Sequence, residues 1–424
     1  MFALCERLFP LRRSLTGDGV RQTLAALQEQ IPVEVREVPT GTPILDWTVP
    51  REWNLRDAWI EGPDGRRVVD VADSSLHVLG YSAPVRERMP LAQLREHLYT
   101  LPEHPGWIPF RTSYFAERWG FCLQHERLEA LEDGEYEVCI DATLEEGSLT
   151  FGELYLPGEV EDEVLISTHI CHPALANDNL SGIVLLTELA KRLEGSSRRY
   201  TYRFLFGPAT LGPLTWLSRN EERLDRVKHG LVACCVGDPG QLTYKRSRRG
   251  DREIDRAAGH VVRARGGQVR DWSPLGGDER QFGSPGFDLP VGVLSRTPQD
   301  EFPGYHSSAD DLSLVRPEHL QDSLEAYLEV LEVLESGLPA GNATYINTSP
   351  KGEPQLGKRG LYRPIGGGSF SEGPLLWVLN LSDGEHDLVA IAERSGLTFD
   401  EIRAAADSLV EHGLLVEVNP SSAR

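Results

Sequence analysis

No segment of the sequence is apolar over the roughly 20 residues that a membrane-spanning helix requires, and the mean hydropathy is −0.32. The opening residues, MFALCERL, lack the basic start, the long apolar stretch and the small-residue cleavage site of a signal peptide. We therefore expect a cytoplasmic protein that has no membrane partner.

None of the six cysteines belongs to a CxxC pair. Cys234 and Cys235 lie in an apolar run, residues 231–236, that is typical of a buried strand. Cytosolic thiols are kept reduced, so we interpret all six as free cysteines with a structural role.

Positive charge is also scarce, because 43 Lys and Arg stand against 65 Asp and Glu and give a net charge of −22. Phosphate contacts require clustered basic residues, so this balance argues against non-specific nucleic-acid binding. One basic stretch, residues 245–249 (KRSRR), follows a predicted strand. It is either a solvated loop or an anion-binding segment.

A chain of 424 residues exceeds the size of one ordinary core and predicts two or three domains. Five of the eight tryptophans fall between residues 46 and 139, where short β-type runs alternate with turn sequences. From residue 137 onward strands alternate with helices, which indicates parallel strands covered by helices. We therefore predict an α/β domain at residues 1–45 and 137–350, interrupted by a nested β-rich domain at residues 46–136.

The C-terminal part is predicted to be a separate module. Residues 351–372 are interpreted as a linker, and residues 373–424 contain three helical patterns and a short strand, as in a winged helix. From residue 371 onward there are ten acidic residues and only three arginines. We expect this module to pack or to form a homo-oligomer, and not to bind nucleic acid.

Candidate metal ligands follow a predicted buried strand at residues 163–168. His169 and His172 come after the strand, and Asp178 precedes a predicted helix at residues 181–193. Imidazole and carboxylate groups are ligands of zinc, and sites form at the carboxyl ends of parallel strands. Taken singly, Asp178 fits a helix cap and each histidine fits a structural role. Three such groups so close together favour a metal site.

Later segments add polar residues near predicted strand ends. Asp238 is either a ligand or a turn residue before Pro-Gly. Asp278 and Glu279 lie in a glycine-rich loop that belongs either to a site or to a surface ion-pair loop. His306 starts a capping segment, and we expect one of the aspartates at positions 310 and 311 to orient it.

The order of these residues resembles that of the co-catalytic zinc aminopeptidases. The shared features are His169, the DNLSG helix start at Asp178, Asp238, and His306 in the sequence YHS. Over nearly its whole length the chain resembles bacterial proteins with an aminopeptidase-like domain, often labelled polysaccharide-biosynthesis proteins. The motifs that carry this second resemblance include WNLRDA, CHP, GDERQ and LGKRG.

The resemblance implies an α/β fold with a zinc-aminopeptidase-like mixed sheet flanked by helices, a small inserted β-rich domain and a C-terminal winged-helix-like module. It also implies one or two zinc ions and a bridging role for Asp178. The implied ligands are His169 and/or His172, Asp178, Asp238 and His306.

One departure from the family concerns the general base. In the zinc aminopeptidases the strand equivalent to residues 204–206 leads into a Glu-Glu pair, which supplies the base and a metal ligand. Ala209 and Thr210 stand at those positions here. Alanine can neither accept a proton nor bind an ion. Glu279 is the best candidate for a replacement base, and His172 for a replacement ligand.

Two functions are consistent with these residues. The first is a zinc-dependent hydrolase of an amide or peptide bond in a small peptide or aminoacyl-type metabolite. In that function Glu279 and Asp278 act in catalysis, and Arg280, Lys245 and Tyr305 hold the substrate. The second is a non-catalytic scaffold or binding protein that keeps the fold. The absent Glu pair favours the second, whereas the complete His and Asp set favours the first.

Overall fold

The fold is organised around one eight-stranded sheet. The computed structural model describes residues 1–114, 116–337, 344–350 and 373–418, together with positions 354, 356, 359 and 361. From edge to edge, the strands of the central sheet are β1 (Glu34–Pro39), β10 (Ser148–Leu156), β12 (Thr201–Gly207), β11 (Glu163–His169), β13 (Val227–Ala233), β16 (Val291–Ser295), β14 (Thr243–Lys245) and β15 (Gln268–Arg270).

Four neighbouring strands, β12, β11, β13 and β16, run parallel, and antiparallel strands join them on both sides. Every residue of β11 and β12 is buried, because these strands lie in the middle of a sheet that is covered on both faces. The predicted mixed α/β sheet is therefore confirmed. The parallel strands bring their carboxyl ends to one edge of the sheet.

Helices cover the two faces of the central sheet. One buried cluster joins the sheet to α1 (Phe2–Leu8), α2 (Asp18–Gln28), α5 (Gly182–Leu193), α7 (Glu253–Ala264) and α9 (Pro317–Gly337). A second cluster joins it to α6 (Leu211–Asn220), α8 (Glu279–Phe282) and the nested domain. Among the described residues, no helix has both the length and the apolar character needed to cross a membrane.

The nested domain is built on a separate four-stranded sheet, ordered β5 (Arg67–Asp70), β4 (Glu52–Glu61), β9 (Glu135–Glu145) and β6 (Val85–Pro90). Two strand pairs and two short helices complete it: β2 (Pro43–Ile44) with β3 (Trp47–Thr48), β7 (Leu98–Tyr99) with β8 (Phe121–Cys122), α3 (Leu91–Leu94) and α4 (His125–Glu129). Strand β9 pairs with β4 and β6, not with the central sheet. The domain thus extends to about residue 145, beyond the predicted boundary at 136.

The C-terminal module contains α10 (Gly373–Leu381), α11 (Leu388–Ser395) and α12 (Phe399–Glu411), with β18 (Asp383–Asp387) and β19 (Leu415–Val418). Its sheet also includes β17 (Thr344–Asn347), which lies between the other two strands. Our predicted boundary at 350 had assigned β17 to the α/β domain. This misplacement arose because the strand is separated from its partners by a long stretch of sequence.

Polar pairs attach the module to the α/β domain. The Arg256 guanidinium donates to both oxygens of Asp387 at 2.8 Å, and Arg403 donates to Glu332 at 2.8 Å. The side of α12 that remains exposed carries four acidic residues: Asp400, Glu401, Asp407 and Glu411. Such a surface repels phosphate, so the absence of nucleic-acid binding stays our prediction for this module.

Candidate metal centre

A cluster of histidines surrounds one buried aspartate at the carboxyl edge of the parallel strands. His169 is the last residue of β11, and its Nε2 lies 2.9 Å from Asp178 Oδ1. His172 Nδ1 lies 3.0 Å from His169 Nε2 and 3.6 Å from Asp178 Oδ1. His306 approaches from a distant part of the sequence, with Nε2 3.1 Å from Asp178 Oδ2. The structure thus brings together four of the five predicted ligands.

The backbone around Asp178 departs from regular helix. The turn Ala176–Ser181 leads into α5, yet Asp178 has φ −103° and ψ 73°. The carboxylate of Asp310 accepts hydrogen bonds from the backbone N–H groups of Asn177 (2.6 Å) and Asp178 (2.9 Å). We had expected an aspartate at 310 or 311 to orient His306. Asp310 instead fixes the loop that carries Asp178.

His172 is held through its backbone and its ring. Arg13, which is fully buried, donates from Nε to the His172 carbonyl oxygen at 2.9 Å. Phe110, from the nested domain, meets the His172 and His306 rings edge-on, with centroids 4.9 and 5.3 Å away. Neither Arg13 nor Phe110 was predictable as part of the site, because both are remote from the cluster along the chain.

The pKa shifts of His172 and Asp178 favour a bound cation, whereas the pKa of His169 is raised because the lowering effect of burial is outweighed by its hydrogen bond to Asp178. Burial lowers the pKa of His172 to about 4. Burial disfavours the charged form of Asp178, but His172 and the other two histidines outweigh it and hold its pKa well below the usual range. A neutral imidazole and an ionised carboxylate are the forms that bind metal.

Two polar atoms of the cluster form no hydrogen bond with a described residue. Within the described part of the chain, Asp178 Oδ2 and His306 Nε2 are buried without a hydrogen-bond partner, although they lie 3.1 Å apart. Unpaired buried polar atoms are costly, and a metal ion between an oxygen and a nitrogen donor removes that cost. The residues present therefore fit a divalent ion of the zinc type.

Two cysteines also reach the cluster. Cys234 Sγ lies 3.3 Å from Asp178 Oδ1 and 3.4 Å from Cys235 Sγ. Asp178 thus belongs to two groups of possible ligands, one with His169 and His172 and one with the two cysteines, and the donor atoms of each group lie within 4.8 Å of one another. We had interpreted both cysteines as structural. Their place directly after β13 was the available signal.

Asp238, the fifth predicted ligand, is not part of this cluster. Its Oδ1 accepts hydrogen bonds from Thr297 Oγ1 (2.5 Å) and the Gly240 backbone (2.7 Å). Its Oδ2 accepts from Asn177 Nδ2 (3.0 Å) and the Thr297 backbone (3.2 Å). Both oxygens are therefore engaged, as in the turn role that the sequence also allowed. Through its bond to Asn177, Asp238 stabilises the loop that also carries Asp178.

The loop before α8 carries two buried carboxylates, Asp278 and Glu279, and Asp278 interacts electrostatically with His169. Asp278 Oδ1 accepts a hydrogen bond from the backbone of Thr210 at 2.7 Å, whereas Oδ2 is buried and unpartnered among the described residues. Burial raises the pKa of Asp278 to about 6. The Glu279 Oε1 pairs with Lys245 Nζ at 2.7 Å. Arg280, the next residue, is exposed.

A cavity of about 330 Å³ adjoins the cluster, and Cys234 forms part of its wall. Lys245, Glu279 and Gln299 also line it. Tyr305 is not among the residues that line this cavity. Its ring stacks on the His306 ring, with the two ring centroids 3.9 Å apart. In the basic stretch at residues 245–249, Arg248 and Arg249 pair with Asp288. Lys245 is the residue of this stretch that lines the cavity.

The fold and the cluster define an aminopeptidase-like α/β protein with a histidine–aspartate site at the carboxyl edge of its sheet. Residues 2–337 match the family model described as a domain of unknown function, DUF4910. The chain belongs to this family. Residues 343–417 match a winged helix-turn-helix model, which confirms the C-terminal module.

Two similar proteins match the chain over nearly its whole length. A Clostridium acetobutylicum protein described as a polysaccharide biosynthesis protein with an aminopeptidase-like domain is 49% identical, covering 98% of this chain and 95% of its own. A crystal structure of a Clostridium acetobutylicum protein described as a peptidase has 47% identity and a TM-score of 0.91, covering 98% of this chain and 96% of that one.

More distant structures share the fold alone. A zinc aminopeptidase from Bacillus subtilis is 14% identical, with a TM-score of 0.57, covering 78% of this chain and 93% of its own. A peptidase M28 precursor from Shewanella amazonensis is likewise 14% identical, with a TM-score of 0.54, covering 79% and 92% of the two chains. The resemblance inferred from the sequence motifs is thereby confirmed.

Proposed function

We propose that this protein is a zinc-dependent hydrolase of an amide or peptide bond in a small peptide or aminoacyl-type substrate, and that it acts in the cytoplasm. The observation that carries the proposal is the set of His169, His172, His306 and Asp178 beside a cavity, with Asp178 Oδ2 and His306 Nε2 lying 3.1 Å apart and neither of them hydrogen-bonded in the described structure. Zinc at such a site polarises a carbonyl group and lowers the pKa of bound water.

Asp278 is our candidate for the general base. The Thr210 backbone holds one of its oxygens at the segment that carries the glutamate pair in the zinc aminopeptidases. Its other oxygen is buried and unpartnered in the described structure, so it can accept a proton. Glu279 is less suited to this role, because Lys245 occupies one of its oxygens.

Glu279 and Lys245 instead provide a fixed ion pair in the cavity wall. A substrate ammonium group can approach the free Glu279 oxygen, and a carboxylate or carbonyl group can approach the Lys245 ammonium. Arg280 is exposed and lies outside the cavity lining, so it is a weaker candidate for substrate binding than the sequence suggested.

The test is turnover of a panel of aminoacyl anilides and short peptides by zinc-loaded protein, with and without a chelator. We expect chelator-sensitive hydrolysis of at least one compound. Asp278→Asn should lower kcat by about 10²–10⁴-fold at unchanged zinc content, the usual contribution of general base catalysis. Exposed Asp225→Asn is the matched control and should keep full activity.

A second candidate is a non-catalytic binding protein, and Ala209 and Thr210 in place of the glutamate pair favour it. No turnover across the panel by fully zinc-loaded protein would support this candidate. Creation of chelator-sensitive peptidase activity by Ala209→Glu would then identify the absent base as the cause.

A further inference from the structure

The side chains of the two adjacent cysteines after β13 lie on the same side of the backbone, with their sulfur atoms in contact. Successive residues of an extended strand place their side chains on opposite faces. Cys235, however, has φ +54°, a left-handed conformation that is uncommon for residues other than glycine. The result is a distance of 3.4 Å between the Cys234 and Cys235 sulfur atoms. Such backbone outliers are concentrated at functional sites.

Cys234 is the cysteine that contacts the cluster. Its Sγ is 3.3 Å from Asp178 Oδ1, the oxygen that also contacts His169. The residue is only 2% exposed, so water does not compete for the sulfur. The Gln299 amide donates to Cys234 Sγ at 3.4 Å, and hydrogen bonds of this kind orient a ligand atom in metal sites.

We propose that Cys234 is a thiolate ligand of an ion that also binds Asp178, so that the metal centre contains sulfur in addition to nitrogen and oxygen. This inference rests on the proposed metal centre and adds a ligand of a different chemical class. On metal binding, the thiol proton leaves to solvent and an S–metal bond forms, without change of oxidation state. A thiolate ligand favours zinc over magnesium, calcium or manganese.

The experiment uses the full chain, reduced, stripped of metal and loaded with Co²⁺. A thiolate ligand gives Co²⁺ a sulfur-to-cobalt charge-transfer band in the near-ultraviolet, which nitrogen and oxygen ligands do not give. We expect the band in the unaltered protein and its loss in Cys234→Ser. Cys235→Ser should keep the band. Cys171→Ser should also keep it, because the Cys171 sulfur accepts a hydrogen bond from the Ala209 backbone at 3.3 Å.

The outcomes separate this inference from the proposed function. Stoichiometric Co²⁺ binding without the band would overturn the thiolate ligand and leave the metal centre intact, whereas failure to bind Co²⁺ would overturn the metal centre itself. Persistence of the band in Cys234→Ser, or its loss in Cys235→Ser, would also contradict the assignment.

A second measurement requires no variant and covers the case in which Cys234→Ser fails to fold. X-ray absorption at the zinc edge of the unaltered protein should show a sulfur neighbour at about 2.3 Å from zinc. A zinc shell fitted by nitrogen and oxygen alone would overturn the proposal.

Discussion

Two groups of buried charges, one within the central sheet and one at its carboxyl edge, differ in how their charges are balanced. In the first, Arg203 on β12 forms hydrogen bonds to Glu163 on β11 at 2.6 and 2.7 Å and to Glu153 on β10 at 2.5 Å. In the second, Asp178 lies among three histidines and a cysteine, and its Oδ2 has no hydrogen-bond partner in the described structure.

The location in the sheet accounts for the difference. Arg203 lies within β12, where neighbouring strands supply permanent partners. Asp178 lies beyond the carboxyl end of β11, where loops meet beside a cavity. A charge balanced inside the protein contributes to the fold, whereas one with an unpaired oxygen is suited to binding a ligand from solution.

The largest effect should follow from breaking the internally balanced group. Arg203→Leu leaves Glu163, which is 2% exposed, without its partner. We expect a loss of about 3–5 kcal/mol in the free energy of unfolding, measured by urea denaturation, with zinc content unchanged. Arg36 lies 3.7 Å from the same Glu153 but is half exposed, so Arg36→Leu should change stability by less than about 0.5 kcal/mol. Equal effects of the two variants would contradict this comparison.

The two aspartates that the sequence could not distinguish provide a sharper test. Asp178→Asn should abolish zinc uptake, and with it the stabilisation of about 2.7 kcal/mol that zinc provides at 100 times its Kd. Asp238→Asn should keep this zinc-dependent increment, while the disrupted hydrogen bonds to Thr297 and Asn177 cost about 1–3 kcal/mol with or without metal. Thermal unfolding with and without zinc measures both. If Asp238→Asn alone loses the increment, the roles are reversed.

The sequence predicted the parts of the site that depend on local pattern. A buried apolar strand followed by His169, His172 and Asp178 places all three at one sheet edge, because parallel strands end together. Asp238 and Cys234 also follow one strand, β13, and there the pattern favoured Asp238 as a ligand, whereas Cys234 is the residue that contacts Asp178. The positive φ at Cys235 reverses the alternation of side chains, and no local pattern of apolar residues indicates such a backbone.

The domain boundaries show the same limit. Strand β9 alternates like any strand, and only its pairing with β4 and β6 assigns it to the nested domain. Strand β17 likewise belongs to the C-terminal module through pairing with β18 and β19. Strand pairing joins residues that are far apart in the sequence. The strands themselves were therefore predictable, but the domain to which each strand belongs was not.

A partly exposed acid, Glu253, tests the comparison at the opposite end of β13. Its Oε2 lies 3.6 Å from Nε2 of His229, a residue that is 2% exposed and has neither ring nitrogen hydrogen-bonded in the described structure. Burial raises the pKa of Glu253 from 4.5 to about 7, despite the lowering effect of Arg256. Neither a strong ion pair nor a cluster of histidines holds this carboxylate in its charged form.

This raised pKa fixes the sign of the smallest predicted effect. Between about pH 4.5 and pH 7 the native state retains a proton on Glu253 that the unfolded state has lost. The contribution of Glu253 to stability is therefore complete at low pH and is lost as the pH rises through this window. Glu253→Gln should match the unaltered protein near pH 4.5 and exceed it by about 1 kcal/mol at pH 8, a figure reduced for the partial exposure of the side chain. Urea denaturation at both pH values measures the difference, with exposed Glu222→Gln as the control. A variant that gains no stability at pH 8 would show that Glu253, like Glu163, is balanced by the cations around it.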